Sequence, residues 1–364
     1  MQLQRLYIKG LRNIDESDIR GLSSFNFFSG DNGSGKTSIL EACSLLSTAR
    51  SFRSRAIKPL INFDETSCTV FGEVLTPQAS KRKLSCVKDN DESGRYMVDG
   101  VRQSSVEQHA RSLPLVLIDP QVLSVVDGGP VFRRAFMDWG LFHVEQSFLS
   151  TWRRYNRALK QRNALLKTHA PSRDSVALWD RELVSAALVI ADMRSAYFEQ
   201  LLNAVPGIDS LDTGFNHKAS IQLSHGFEVS NYLEQLNDSF DKDCRAGFTH
   251  SGPHRADIRM RSNRFGVDKI LSRGQQKMLV CDLKIRQAQL FNAQLGYPPI
   301  MLLDDIYSEL DRHNLRKLIG SLISLGAQTF LTSIESPTEL AELVEKSGKE
   351  LRMFHVERGK IEAI

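Results

Sequence analysis

Apolar and polar positions alternate over residues 3–9, and a short apolar run at 25–28 ends in Ser-Gly; both predict strands. Residues 35–48 take a helical spacing. Between about 66 and 101 the runs CTVFGEVL, KLSCV and RYMV read as short strands, with turn residues such as Asp99-Gly100 between them, and 113–118 reads as a buried strand. After Gly128-Gly129-Pro130 the texture changes. From 131 to about 205 Gly and Pro are scarce and apolar residues recur at helical spacing. Trp152, Tyr155 and Leu159 share one face; Leu183, Ala187 and Ile190 continue such a pattern to a polar break at Arg194. Pro171 separates two long helical stretches, which predicts an antiparallel pair or small bundle. Alternating strands and helices return near Phe248, with a wholly apolar strand at 300–303 that ends in acids and a short strand at 330–332.

Two α/β segments around one helical insertion predict a single α/β head made from both chain ends. The expected boundaries are 1–130 and 247–364 for the head and 131–246 for a projecting helical arm. A chain of 364 residues suits two domains better than one, and 41% hydrophobic with 25% charged residues is ordinary for a globular protein. The net charge of +4 permits an anionic partner without requiring one. Cys43, Cys68, Cys86, Cys244 and Cys281 are scattered, odd in number and form no CxxC, so reduced thiols are expected rather than disulfides or a zinc site. The first residues carry charges and no apolar stretch like that of a signal peptide, and the longest apolar run, near 183–191, is far short of the roughly 20 residues of a membrane span. The expectation is a cytoplasmic protein with no membrane association.

The chemistry enters at Gly30-Asp31-Asn32-Gly33-Ser34-Gly35-Lys36-Thr37, a full match to G-x-x-x-x-G-K-[ST] placed between an apolar strand and a helix. Loop amides and the helix N-terminus cradle phosphates. Lys36 is expected to reach the β- and γ-phosphates of ATP, and Thr37 to offer its hydroxyl to Mg²⁺. Far downstream, the apolar strand at 300–303 ends in Asp304-Asp305. Asp304 is placed to hold Mg²⁺ through water, and Asp305 to polarise an attacking water. Lys36, Asp304 and Asp305 are the expected catalytic residues.

Leu271-Ser272-Arg273-Gly274-Gln275-Gln276-Lys277 precedes a helical stretch and then the acidic strand, and it resembles the LSxGQ signature of ABC-type ATPases; Ser308-Glu309-Leu310-Asp311 is similar to their D-loop. Together these segments resemble an SMC-like ABC head. Ala49-Arg50-Ser51-Phe52-Arg53, Gly129-Pro130 with Arg133-Arg134 and Met137-Asp138, Gly252-Pro253-His254-Arg255, and LLDDIYSELD resemble, more narrowly, the RecF family over nearly the whole chain. That resemblance implies an ABC ATPase head with a helical arm that dimerises around ATP, binds DNA, and acts with RecO and RecR to load recombinase at gaps. It also implies that Ser272, Gly274 and Gln275 of one copy meet the ATP held by another, and that Arg12, in Gly10-Leu11-Arg12-Asn13, approaches the phosphates; a plain surface arginine is the competing reading. Asp305 stands where many ABC proteins carry glutamate, so slow hydrolysis is expected. No histidine stands in 328–332 as a γ-phosphate sensor, and Gln121 is the candidate Q-loop residue.

Basic residues cluster at Arg50, Arg53, Arg55 and Lys58; at Lys81-Arg82-Lys83; at Arg153-Arg154, Arg157, Lys160 and Arg162; and at Arg255, Arg259, Arg261 and Arg264. Such clusters neutralise phosphates without reading sequence. Each alone reads better as a solvated face, so DNA binding rests on the resemblance, supported by the sum of the clusters. His250 and His254 stand four apart, but Gly252-Pro253 breaks any helix between them and no metal site is expected. Trp139, Trp152 and Trp179 are expected in cores. Two rival functions remain. A transporter ATPase subunit shares the three motifs but has a shorter helical subdomain and needs a membrane partner. A P-loop kinase leaves LSRGQQK without a role. A clamp that binds ATP without hydrolysing it is a milder alternative.

Overall fold

The computed structural model describes the chain apart from residues 55, 92, 170, 204–218, 263 and 335–337, and apart from the side chains at 219, 308, 309, 338 and 339. Arg55 and the Ser308 and Glu309 side chains, singled out above, lie outside the described residues. Two compact units emerge: Met1–Val122 with Cys281–Ile364, and Leu123–Val280. Residues 247–280, grouped above with the head, fall in the second unit.

The strands, in chain order, are β1 (Gln2–Leu11), β2 (Ile14–Arg20), β3 (Phe25–Ser29), β4 (Ser67–Leu75), β5 (Lys81–Asp89), β6 (Gly94–Val98), β7 (Val101–Arg102) and β8 (Leu115–Ile118). They continue with β9 (Ala219–Ser224), β10 (Asp257–Ser262), β11 (Phe265–Gly266), β12 (Ile300–Leu303), β13 (Thr329–Ser333), β14 (Leu351–Glu357) and β15 (Lys360–Ala363). In the first unit one sheet runs β2-β1-β4-β5-β6-β7, antiparallel throughout. The other runs β15-β14-β3-β13-β12-β8, with all neighbours parallel except β15.

The sequence explains the difference. β3, β12 and β13 are buried at every position, the near-continuous pattern of a parallel sheet covered on both faces. β4 buries Cys68, Val70, Gly72 and Val74 in alternation, as a sheet packed on one face does. The helix Lys36–Thr48 fills the space between the sheets. Its Ile39, Leu40, Leu45 and Leu46 join one core with Leu3, Leu6 and Val70 of the antiparallel sheet and Phe28, Leu302 and Phe330 of the parallel one. Each such side chain contributes about 1.5–3 kcal/mol when fully buried. Phe28 stacks on Phe354 at 4.8 Å and faces Phe330 at 6.3 Å, which fixes β3 between its parallel neighbours. Gln328 spends its amide on both backbone groups of Leu3, accepting from the N–H at 2.7 Å and donating to the carbonyl at 2.8 Å. This buried side chain therefore joins the two sheets with its polar atoms satisfied.

The second unit holds helices Pro130–Val144, Phe148–Leu166 and Arg173–Asn203, so the stretch predicted as an antiparallel pair or small bundle contains three long helices. It also holds an antiparallel β11-β10-β9 sheet that helical periodicity did not signal. Arg194 is no polar break. It is 1% exposed, bonded to the Asp138 carboxylate at 2.8 Å and to the Pro253 carbonyl at 2.8 Å, with the Trp152 ring 5.2 Å away. Arg162, placed above in a DNA-facing cluster, is fully buried; it binds Asp180 at 2.6 Å, Asp243 at 2.7 Å and Thr249 Oγ1 at 2.8 Å. Both arginines sit inside because carboxylates distant in sequence neutralise them, a condition that local pattern does not reveal. Trp139, Trp152 and Trp179 are only partly buried. No helix among the described residues is long and apolar enough to cross a membrane.

Candidate nucleotide site

β3 runs straight into the glycine loop, and the helix Lys36–Thr48 begins where the loop ends. The helix has no side-chain cap and no acid in its first turn, so its N-terminal amides remain open to an anion. Gly30 adopts φ +150°, and a Cβ there would lie 2.1 Å from the Val356 carbonyl, so only glycine lets the loop lie against β14. The Lys36 ammonium donates to the carbonyls of Gly30 at 2.6 Å and Asp31 at 2.8 Å. It thus rests folded over the loop that incoming phosphates would fill. Burial lowers its pKa, while Asp305, Asp304 and Asp31 pull it back up. Ser34 Oγ is buried without a protein partner, a polar atom suited to a phosphate oxygen.

Across the site, β12 delivers Asp304. Its Oδ1 accepts from Thr37 Oγ1 at 3.0 Å and from Thr332 Oγ1 at 2.7 Å. Burial pushes the Asp304 carboxyl above its ordinary pKa, and the Thr332 and Thr37 hydroxyls oppose that rise. A divalent cation beside it would reverse the shift. Asp305 turns into the left-handed region at φ 48°, and its amide donates to Thr332 Oγ1 at 2.9 Å. Thr332, at the end of β13, therefore ties both acids together, and it stands in the strand where the sequence offered no sensor histidine. The Thr37 hydroxyl and one Asp304 carboxylate are the sparse oxygen set that Mg²⁺ takes when phosphates and water complete its shell. The residues present fit the ion.

These groups line a cleft of about 1060 Å³ that includes Arg12, Asn13, Asn32, Gly33, Gly35, Lys36, Thr37, Arg53, Asp304, Asp305 and Thr332. Asp31 reaches the site through its carbonyl. Asn13 is a contributor that the sequence reading missed: it donates to the Gly33 carbonyl at 3.0 Å and accepts from Ser38 Oγ at 3.2 Å. Arg12 lines the cleft with its guanidinium paired to Glu41, at 2.9 and 2.8 Å. Gln121 sits exposed on the turn Pro120–Val125 and, among the described residues, is not part of the cleft lining.

The signature segment belongs to the second unit. Ser272 and Gln275 form a reciprocal cap on the helix Arg273–Leu295. Gln275 Oε1 accepts from the Ser272 amide at 2.7 Å, and Ser272 Oγ from the Gln275 amide at 3.4 Å. Ser272, Arg273 and Gly274 are exposed, and Arg273 pairs with Asp127 at 2.6 Å. The residues expected to meet phosphate are thus displayed on the surface at the positive end of a 23-residue helix.

A family model described as the RecF/RecN/SMC N terminal domain matches residues 2–362. The chain is 38% identical over 366 residues to the DNA replication and repair protein RecF of Vibrio parahaemolyticus serotype O3:K6, covering 100% of both chains. A solved structure of the recombination mediator protein RecF-ATP in the RecFOR pathway superposes with a TM-score of 0.85 at 25% identity, covering 100% of this chain and 97% of that one. An Smc head bound to the C-winged helix domain of ScpA shares the fold, with a TM-score of 0.58 at 13% identity over 100% of this chain and 97% of that one.

Proposed function

Because the chain belongs to the RecF family of DNA replication and repair proteins, we propose that it is an ATP-dependent, DNA-binding switch of recombinational gap repair that supports the SOS response. Its fold is that of an SMC/RecF-type ABC ATPase head. ATP sits in the cleft with its phosphates on the loop Gly30–Thr37 and Lys36. Mg²⁺, held by Thr37 and Asp304, supplies charge neutralisation at the phosphates.

The observation that carries the mechanism is the placement of Ser272 and Gly274. Each chain has one phosphate loop and one signature, and Ser272 and Gly274 of the signature are exposed at the start of the helix Arg273–Leu295. A second copy, related by a two-fold axis, completes the site: each copy's signature caps the other's triphosphate. ATP then forms part of the interface. Asp305 orients a water for slow hydrolysis, which removes the bridge and resets the switch. RecR and RecO are the expected protein partners, by analogy with the relative solved in the RecFOR pathway.

DNA contacts come from exposed basic residues. Lys81, Arg82 and Lys83 on β5, Arg153, Arg157 and Lys160 on one helix, and Arg255, Arg259, Arg261 and Arg264 near β10 are all exposed. A backbone-only mode gives affinity that falls steeply with salt and varies little with sequence. The transporter and kinase readings are not favoured by relatives of full length that carry a repair protein's name. DNA binding and oligomeric state measured together in ATP, ADP and a non-hydrolysable analogue test the proposal: a DNA-bound dimer only with triphosphate is expected, and a nucleotide-independent dimer contradicts it.

A further inference from the structure

Glu41 lies on the sixth position of the helix Lys36–Thr48 and is 0% exposed, inside the core between the two sheets. A carboxylate there loses its hydration, and an apolar side chain of similar volume would pack without that cost. What Glu41 holds explains the choice of residue. Its two oxygens receive Arg12 Nη2 at 2.8 Å and Nε at 2.9 Å, a side-on fork. Arg12 Nη1 donates to the Pro59 carbonyl. Two of the five guanidinium N–H donors are left unspent among the described residues, on a side chain that lines the cleft. The Arg12 backbone is itself in the left-handed region at φ 55°, held there by its amide on the Leu60 carbonyl at 2.9 Å. A non-glycine residue in that conformation persists only where its surroundings over-determine it.

Glu41 also receives Ser51 Oγ. That hydroxyl in turn accepts from the amides of Arg53 and Ser54, each at 3.0 Å, and so folds the loop carrying Arg53. Arg53 lines the same cleft, and its charge acts on Asp304. One buried carboxylate is therefore tied to both cleft arginines, one directly and one through a serine.

We propose that Glu41 is a positioning residue of the nucleotide site, which aims Arg12 and Arg53 at the triphosphate without touching it. The inference rests on the ATP reading given above and adds that phosphate affinity depends on Glu41 only through these two arginines. Glu41 lies too deep to meet nucleotide, so its effect on affinity must vanish once both arginines are gone.

The test is the affinity of the full chain for a fluorescent ATP analogue, with thermal midpoints read in parallel. In the wild-type background E41Q is expected to weaken binding about tenfold, the scale of one charge-assisted hydrogen bond. In an R12A/R53A background the same change is expected to weaken it less than about twofold, because contacts acting as one network are non-additive. Equal factors in both backgrounds would overturn the proposal and leave Glu41 a core residue whose loss loosens the site generally. Should E41Q fail to fold, S51A, which touches only the Arg53 branch, keeps the question open to decision. Its effect is expected to disappear in R53A and persist in R12A, and persistence in both defeats the proposal. A wild-type protein that does not bind the analogue defeats the ATP reading itself, an outcome distinct from equal factors.

Discussion

The amide of Gly359 donates to the carbonyl of Ser34 at 2.8 Å, so the turn between β14 and β15, near the end of the chain, is bonded to the phosphate loop near its start. Gly359 has φ +80°, and a Cβ there would lie 2.0 Å from the Asn13 carbonyl. Asn13 holds Gly33 and Ser38 in turn. The C-terminal hairpin is thus part of the wall that shapes the nucleotide loop.

Gly359→Ala forces either the turn or Asn13 to move. We expect ATP affinity to fall about tenfold and stability by about 1–3 kcal/mol. Nucleotide titration and urea unfolding check both. Unchanged affinity would mean that the hairpin only abuts the loop.

Thr332→Val keeps shape and removes the hydroxyl shared by Asp304 and the Asp305 amide. A buried donor left unsatisfied costs about 1–3 kcal/mol. With the proposed roles of Asp304 on the cation and Asp305 on water, hydrolysis is expected to slow at least about tenfold while ATP affinity changes less than about twofold. Single-turnover hydrolysis with a separate binding titration resolves the two effects.

In the second unit the basic cluster on the helix Phe148–Leu166 divides by burial. Arg162→Ala strands Asp180 and Asp243 in the interior and is expected to cost about 3–5 kcal/mol. Lys160→Ala, at an exposed position, is expected to leave stability within about 0.5 kcal/mol, weaken DNA binding evenly across sequences, and reduce the salt slope by about one. Denaturant curves beside salt-dependent DNA titrations distinguish the two residues.

His254 predicts a pH dependence. Nε2–H donates to the Thr249 carbonyl at 3.1 Å, so Nδ1 accepts from the Tyr155 hydroxyl at 2.6 Å, the pattern of a neutral imidazole. Burial, aided by Arg255 and Arg134 and opposed by the Thr249 carbonyl, brings its pKa down to about 4 from 6.5. Above about pH 6.5 folded and unfolded chains are both neutral there, and pH has no leverage. Between about 6.5 and 4 the unfolded chain takes the proton that the folded one refuses, so stability falls as pH falls, by up to about 3 kcal/mol, and levels off below. His254→Gln is expected to flatten that slope in thermal scans from pH 7 to 4.

The phosphate loop and the acidic strand were legible because their chemistry is local: contiguous residues at fixed spacing, entered by an apolar run. In the first unit β1 followed from period-2 alternation and β3, β8 and β12 from short apolar runs, whereas β2, β7, β14 and β15 were not predicted. Asn13, Glu41, Thr332 and Gly359 were not legible, since each acquires its role from a neighbour between 20 and 325 residues away that only the fold supplies. Arg162 and Arg194 misled for a related reason. Arginine reads as solvated unless its carboxylate partner is known, and those partners are on other elements. The Ser272–Gln275 cap matches S-x-x-Q, a local pattern of a helix N-terminus.

The joint grip on ATP is tested most directly by mixing two defective chains. Lys36→Met removes the proposed phosphate contact and leaves Ser272 intact; Ser272→Arg alters the proposed signature and leaves the loop intact. Each alone is expected to be inactive in ATP hydrolysis. Together, mixed dimers carry one whole site, and activity should return to about a quarter of wild type if copies pair at random. A mixture no more active than its separate components would contradict a site shared between two chains.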